Sequence, residues 1–489
     1  MRKQLFFFIA SLSLGLSQAR PLVKAVEDKD AHLVALLLEG EADVNFAQTD
    51  GMTALHWAAY HDDAELGKAL LKRGATATAK TRHGITPLYL ACLNGNGLLL
   101  SALLASGANA NASIVGGETA LMTASRVGDE ECVAALLGAG AEVEAREKND
   151  QSAIMWAAAE GALRVVELLL AAGADPFRQL KSSGYSAFFL AIREGKSDLV
   201  GFLLENGGDV NSVMDHENGR GDFAKPKTSP LLLAAENGHY DLGVHLLEAG
   251  ANPNDFRSGF TVLHSLTWIR KPDIGESADG DPAPEGSGRR TSLQFARDLV
   301  KHGADVNFRL KRGRRGGNGR VSEIQATPLF LAADRADLSY MQLLVELGAD
   351  PLLPNDTGTT PLLVAAGIGS FAPEEEAGNE EECLAAVKYL VSLGASVNTV
   401  DQRSETAMHG AAYKNLPSMV HYLNEENADI KIWNQNNKLG RTPLLLAEGY
   451  RPGNFKPSFK TVEAIKEVMK AHGVEVPDGP KPKVNNYGE

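Results

Sequence analysis

The chain has 489 residues, of which 44% are hydrophobic, 22% charged and 6% aromatic, with a formal net charge of −14. That apolar content excludes general disorder, and the acidic surplus excludes a general nucleic-acid binder, which needs clustered cations for the phosphate backbone. Three cysteines (Cys92, Cys132 and Cys383) are too few for a disulfide scaffold or a cysteine-rich metal site.

In chain order, the first predicted element is an address. Arg2 and Lys3 precede a mostly apolar run from Leu5 to Leu16, and Ser17-Gln18-Ala19 closes it with a small residue. This is the layout of a secretory signal peptide over residues 1–19. The run rises about 18 Å as a helix, short of a roughly 30 Å hydrocarbon core. No later apolar run approaches a membrane span without a charge or a glycine break. The mature chain is therefore expected in the periplasm or outside the cell, with no membrane span.

Two phrases then repeat in phase. A glycine followed by Ala and Asp, or close variants, stands at Gly74, Gly107, Gly140 and Gly173, in steps of 33. It continues at Gly207, Gly250, Gly303, Gly348 and Gly394 with steps of 34 to 53, and a degenerate first copy is Gly40-Glu41-Ala42-Asp43. About twenty residues ahead of each comes a second phrase, such as Thr86-Pro87-Leu88, Thr327-Pro328-Leu329 and Thr442-Pro443-Leu444, with the variants Thr53-Ala54-Leu55-His56 and Thr406-Ala407-Met408-His409. Thr is a helix N-cap, and Pro or Ala suits the first helical position. Ala pairs such as Ala58-Ala59 and Ala332-Ala333 let a neighbouring helix approach, and the Leu-rich run before each glycine is the buried stripe of a second helix. Asp50-Gly51, His83-Gly84 and Ser183-Gly184 mark tight turns between units. One such unit cannot bury its own apolar face, so stability must come from stacking neighbours.

This pattern resembles the ankyrin repeat family, whose repeat carries a Thr-Pro-Leu-His phrase at a period of 33 residues. The resemblance covers roughly residues 20–475 and implies an all-α repeat solenoid of about twelve helix-turn-helix units with hairpin-like loops. It replaces the two to four compact domains that length alone suggests at about 150 residues each. Leu22 to Asp50 and Gly440 to Gly473 read as capping units, and residues 476–489 as a flexible tail.

Four insertions break the period. Residues 214–227 and 308–326 lengthen the loop between units; residues 270–291 and 370–382 lengthen the turn within a unit. The resemblance places these two loop types at opposite ends of the helices, so no latch between them is expected. The basic residues Lys311, Arg312, Arg314, Arg315 and Arg320 fall in one insertion, and Glu374–Glu376 with Glu380–Glu382 in or beside another. Both are read as solvated loops. An anionic partner for the first, or Ca²⁺ for the second, is the sharper alternative, but the acidic run lacks the spaced Asp pattern with a turn glycine.

Apparent catalytic signals fail on inspection. Gly195-Lys196-Ser197 resembles the end of a phosphate loop, but Leu190 stands where its first glycine is required. Gly367-Ile368-Gly369 lacks a third glycine, and Arg220-Gly221-Asp222 is a tripeptide of low specificity. No H-E-x-x-H, C-x-x-C or G-x-S-x-G occurs. By the resemblance, His56, His264 and His409 hydrogen-bond between units. No cofactor, metal or catalytic residue is expected.

What remains is a binding surface. The resemblance implies partner contacts at the loop tips and just after the Ala pair of each first helix. Those helix positions are Tyr60 and His61, Leu93 and Asn94, Arg126 and Val127, Arg193 and Glu194, Glu236 and Asn237, Trp268 and Ile269, and Tyr413 and Lys414; the tips include Thr49, Asp50, Met52, Arg82, His83 and Ile85. Aromatic and Arg residues dominate interface hot spots, which ranks Tyr60, Arg126, Trp268 and Tyr413 first. Trp57 and Trp156 are read as core, and packing of Trp268 beneath the 270–291 insertion is the competing reading there. The repeats after Gly207 are irregular, so insertions are expected to interrupt the groove there. The expected function is a non-catalytic protein-interaction scaffold binding an unidentified protein partner through its groove. Two alternatives stay open: an enzyme site built by the insertions, and an effector secreted toward a host cell.

Overall fold

A computed structural model describes residues 22–216, 225–275, 284–313, 320–451 and 456–477. The signal-peptide reading, the Arg220-Gly221-Asp222 tripeptide, Arg314 and Arg315 fall outside the described residues. Twenty-five helices are described; apart from the single turn Ile430–Trp433 they form twelve helix pairs, and among the described residues there are isolated β-bridges but no strand. The architecture is the all-α repeat solenoid expected. The chain divides into two compact units, one comprising residues 1–209 and 214–223, the other residues 210–213 and 224–489. Each holds six pairs, from Leu22–Glu27 to Ser197–Glu205 in the first and from Pro230–Glu236 to Phe459–Ala471 in the second.

Each phrase does the work its chemistry suggests. The Thr86 hydroxyl accepts a hydrogen bond from the Tyr89 N–H at 3.1 Å, and Pro87 follows at the first helical position, where a missing N–H costs nothing. Ala58 and Ala59, and likewise Ala332 and Ala333, are fully buried, so first helices stack on first helices at close range. Second helices carry their own caps, as where the Asn96 side-chain oxygen Oδ1 accepts from the Leu99 N–H at 2.8 Å. They end on a left-handed glycine such as Gly74, at φ +85°. The three cysteines are all buried free thiols.

Two hydrogen-bond systems join one pair to the next. At the hairpin tips a backbone N–H reaches the carbonyl of the preceding tip: Arg82 to Asp50 at 2.9 Å, Val115 to His83 at 2.8 Å and Lys148 to Gly116 at 2.8 Å. At the other end of the unit an asparagine side chain clamps its successor. Asn111 donates to the Gly140 carbonyl at 3.1 Å and accepts from the Glu142 N–H at 2.7 Å. Asn45, Asn211, Asn254, Asn307 and Asn398 make the same two contacts with their neighbours. Thr78, Phe177 and Leu352 occupy the equivalent positions without an amide to offer. Replacing Asn111 by Ala removes both contacts at an exposed site, and a loss of about 0.5–1.5 kcal/mol in the unfolding of the first unit is expected from urea titration.

The histidines add a third, buried link. His56 Nδ1 lies 2.8 Å from the Thr53 hydroxyl and its Nε2 lies 3.1 Å from the Ile85 carbonyl of the next hairpin. His264 does the same with Thr261 and the Ala326 carbonyl, and His409 with Thr406 and the Gln435 carbonyl. The geometry is that of a neutral ring accepting at Nδ1 and donating from Nε2. Burial holds all three below the usual imidazole range, His264 and His409 at about 4.

Candidate protein-binding groove

In the first unit, the residues after each Ala pair line up along the exposed side of the first helices, one per repeat. Tyr60 leads the row at 55% exposure. Its ring meets Trp57 edge-on with centroids 5.5 Å apart, and His61 stacks on the same indole at 5.6 Å. The Trp57 Nε1–H donates to Gln48 at 2.9 Å, which pins the indole against the hairpin. Leu93 is exposed beside Asn94, whose amide donates to the Ala59 carbonyl at 2.8 Å and ties this helix to its predecessor.

Further along, the Arg126 guanidinium lies over the Trp156 ring, 5.2 Å from its centroid, and 3.8 Å from the Glu118 carboxylate in the hairpin. Arg193 lies over Tyr185 at 5.0 Å and pairs with Glu194 at 2.6 Å. A cation held over an aromatic face has its motion restricted by the ring. Val127 stands exposed beside Arg126, and Arg82 is exposed at the adjoining hairpin tips. The Arg126–Glu118 and Arg193–Tyr185 contacts run from a first helix to a hairpin, so helices and tips share one open groove. Trp57 and Trp156 are half-buried in its floor rather than core residues as expected: the flat rings are covered on one face by the fold and on the other by His61 and Arg126.

The second unit treats the equivalent positions differently. Tyr413 is fully buried, its hydroxyl donating to the Glu405 carboxylate at 2.9 Å, with the Asn437 amide donating to the same carboxylate at 2.8 Å. Burial pushes the Tyr413 phenol well above its ordinary value and raises Glu405 as well. Lys414 is also buried, and its ammonium donates to the Ala377 carbonyl at 2.6 Å. Neither is an exposed contact; both hold the fold together. Trp268 is half-buried edge-on against Phe260, at 4.8 Å. With Lys225, Arg312 and Arg335 it lines a cavity of about 800 Å³. Glu236 is half-buried, and burial pushes its carboxyl up to about 7 against the opposing pull of the Lys225 ammonium.

The cause is that the insertions fold back over this side of the unit. The Gly275 N–H donates to the Glu375 carbonyl at 2.9 Å, and the Ala377 N–H to the Asp273 carboxylate at 3.2 Å, so the 270–291 and 370–382 insertions meet. The Arg320 guanidinium covers the Phe371 ring at 4.7 Å, which brings the 308–326 insertion to the same place. The expectation that these loops stay at opposite ends, without a latch, is overturned: the added residues give each loop the reach to turn inward. Of their charges, Glu382 pairs with Lys271 at 2.8 Å, while Glu374 and Lys456 meet at 3.3 Å with both side chains largely exposed, as expected of a solvated loop. Where insertions were expected to interrupt the groove, they do. Gly410 is the sequence signal for this: it stands at the floor position that Trp57 and Trp156 hold in the first unit, and leaves room for the chain at Ala366–Ile368.

Comparison with known proteins identifies the repeat. The family model for ankyrin repeats in three copies matches residues 11–81, 77–147 and 121–214, and the single ankyrin repeat model matches residues 227–256. The chain belongs to the ankyrin repeat family. This ankyrin chain is 36% identical over 236 residues to the human ankyrin repeat and SOCS box protein 16, an alignment covering 45% of this chain and 47% of that protein. It is 30% identical over 199 residues to the ankyrin repeat and KH domain-containing protein mask-1 of Caenorhabditis elegans, covering 39% of this chain and 7% of that one. The chain thus spans less than half the length of either relative. The solved ankyrin repeat domain of human ASB11 aligns with 52% of this chain and 99% of its own, at 24% identity and a TM-score of 0.41. Among the described residues, no helix of this ankyrin chain is long and apolar enough to cross a membrane.

Proposed function

We propose that the chain is a non-catalytic scaffold that binds a protein partner in the open groove of its first unit, and that it does so after export to the periplasm or cell exterior. The observation that carries this reading is the row Tyr60, Leu93, Arg126 and Arg193: large side chains at one register position in four of the unit's repeats, with small Ala159 in the repeat between the two arginines and both arginines steadied on aromatic faces. Rigid aromatic and Arg anchors are what interface hot spots are made of, because little side-chain entropy is lost when they bind. An open row along several repeats suits a protein segment better than a small molecule, which needs enclosure on most sides. The export part of the proposal rests on the Arg2-Lys3 start, the Leu5–Leu16 run and Ala19.

Affinity capture from native extract with the chain as bait, beside a Tyr60→Ala, Arg126→Ala, Arg193→Ala variant of unchanged helical content, tests the groove. A protein held by the parent and lost by the triple variant is the expected result, while a Trp268→Ala variant keeps it. Equal retention by parent and triple variant would move the site elsewhere.

A further inference from the structure

The second unit shows which kind of segment this fold accepts over its first helices. The occupant is the chain's own insertion, Ser370-Phe371-Ala372-Pro373-Glu374-Glu375-Glu376, an aromatic residue followed by three carboxylates. Phe371 sits under the Arg320 guanidinium, Glu374 pairs with Lys456 at 3.3 Å, and Glu376 folds back to accept from the Ser370 hydroxyl and the Phe371 and Ala372 N–H groups. The aromatic–arginine contact and the hydrogen bond from the Gly275 N–H to the Glu375 carbonyl hold it in place, with an exposed carboxylate–lysine pair at its rim.

The groove of the first unit offers the same two elements, arginines on aromatic rings and exposed cations. Arginines 126 and 193 stand on its floor rings, and exposed Tyr60, Leu93 and Val127 supply apolar surface between repeats. Above them the hairpin tips expose Lys80, Arg82, Lys148 and Lys181. Of the acids on this side, Asp50 and Glu160 are exposed, Glu147 is buried and Asp150 half-buried, while Glu27 and Asp28 are drawn to Lys24, Glu118 to Arg126 and Glu194 to Arg193. On the second helices the balance is reversed, with Glu65, Glu130, Glu131, Asp198 and Glu205 exposed. A chain of net charge −14 therefore keeps its cations at the groove rim. That separation favours approach of an acidic ligand to one side and repels it from the other.

We infer that the groove of the first unit binds an extended acidic protein segment carrying a large apolar side chain, its carboxylates facing the hairpin-tip cations and its apolar group lying between Tyr60 and Val127. The inference rests on the proposed groove function and specifies its ligand.

The test uses the intact chain and a fluorescein-labelled peptide bearing two copies of residues 370–376 as probe, read by fluorescence anisotropy. Versions with every Glu changed to Gln or to Lys, and with Phe changed to Ser, are run beside it. Saturable binding is expected, weakened about tenfold or more by Glu→Gln, by raised salt, and by an Arg82→Glu, Lys148→Glu, Lys181→Glu variant of the chain. Equal binding of the Gln or Lys peptide overturns the inference, as does an unchanged affinity in the tip variant. If the captured partner is lost by the Tyr60, Arg126, Arg193 variant yet held by the tip variant at any salt, the groove reading stands and the acidic ligand is refuted.

Discussion

Replacing His409 by Gln is expected to destabilise the chain at neutral pH and to lose most of that cost by pH 4. The imidazole is neutral in the folded state and held at about 4 by burial, against about 6.5 in the unfolded chain. Between those values the unfolded chain binds the proton and the folded chain does not, so stability rises with pH across the window and falls on acidification. The shift corresponds to on the order of 3 kcal/mol, absent at pH 7 and largely expressed at pH 4. Glu236 and Glu405, both raised by burial, act with the opposite sign and lose stability as pH rises, so the parent protein alone would blur the effect. The difference between parent and His409→Gln isolates it. Urea unfolding followed by circular dichroism at pH 7 and pH 4 gives the two values, and an equal cost at both would show that the ring is already accessible to protons. His264, held at the same value by the same geometry, should behave alike.

Two helical glycines should answer an alanine with opposite signs. A Cβ at Gly410 would stand 2.8 Å from the Ala366 carbonyl oxygen and 2.9 Å from the Ile368 nitrogen, both backbone atoms. Neither can move without displacing the chain that feeds the 370–382 insertion. Gly410→Ala is therefore expected to cost about 1–3 kcal/mol, the range for overpacking a filled site. At Gly201, in the helix Ser197–Glu205, a Cβ would meet nothing within 4 Å. There the substitution only restricts the unfolded chain and improves helix propensity, for a gain of about 0.8–1 kcal/mol. Thermal melts of the two variants against the parent decide it; a neutral Gly410→Ala would mean that the inward-folded insertion is held far more loosely than its contacts indicate.

The repeat was legible because its determinants are local. A Thr cap, a Pro or Ala after it, a small Ala pair and a left-handed glycine each act within a few residues, and their period fixes which neighbours stack. The histidine bonds between repeats could be anticipated from the same phrase. The groove positions Tyr60, Arg126 and Arg193 follow from register alone and are placed on the open side, though their role in binding is proposed rather than shown. Tyr413 and Lys414 share that register and are nonetheless buried, because the decisive partners lie outside the helix: Glu405 at its start and Asn437 in the next hairpin for one, Ala377 in an insertion for the other. Period says where a side chain leaves the helix. It does not say whether an insertion made elsewhere will come to rest upon it.

Unequal coupling between neighbours gives the array preferred seams. In a stack where each pair touches only the next, cohesion is a series of joints, and the series parts first at its weakest. The asparagine clamps reinforce six of these joints, while those at Thr78, Phe177 and Leu352 lack the clamp and rest on packing and their other hydrogen bonds, such as Asn94 to the Ala59 carbonyl and the Asp215 N–H to the Gln179 side chain. Tension along the stack would then be released in blocks of whole pairs, leaving the clamped blocks intact. The joint after Phe177 lies at the far end of the open groove, beside the helix that carries Arg193. A partner lying along the groove would span that joint and splice the weak point from outside.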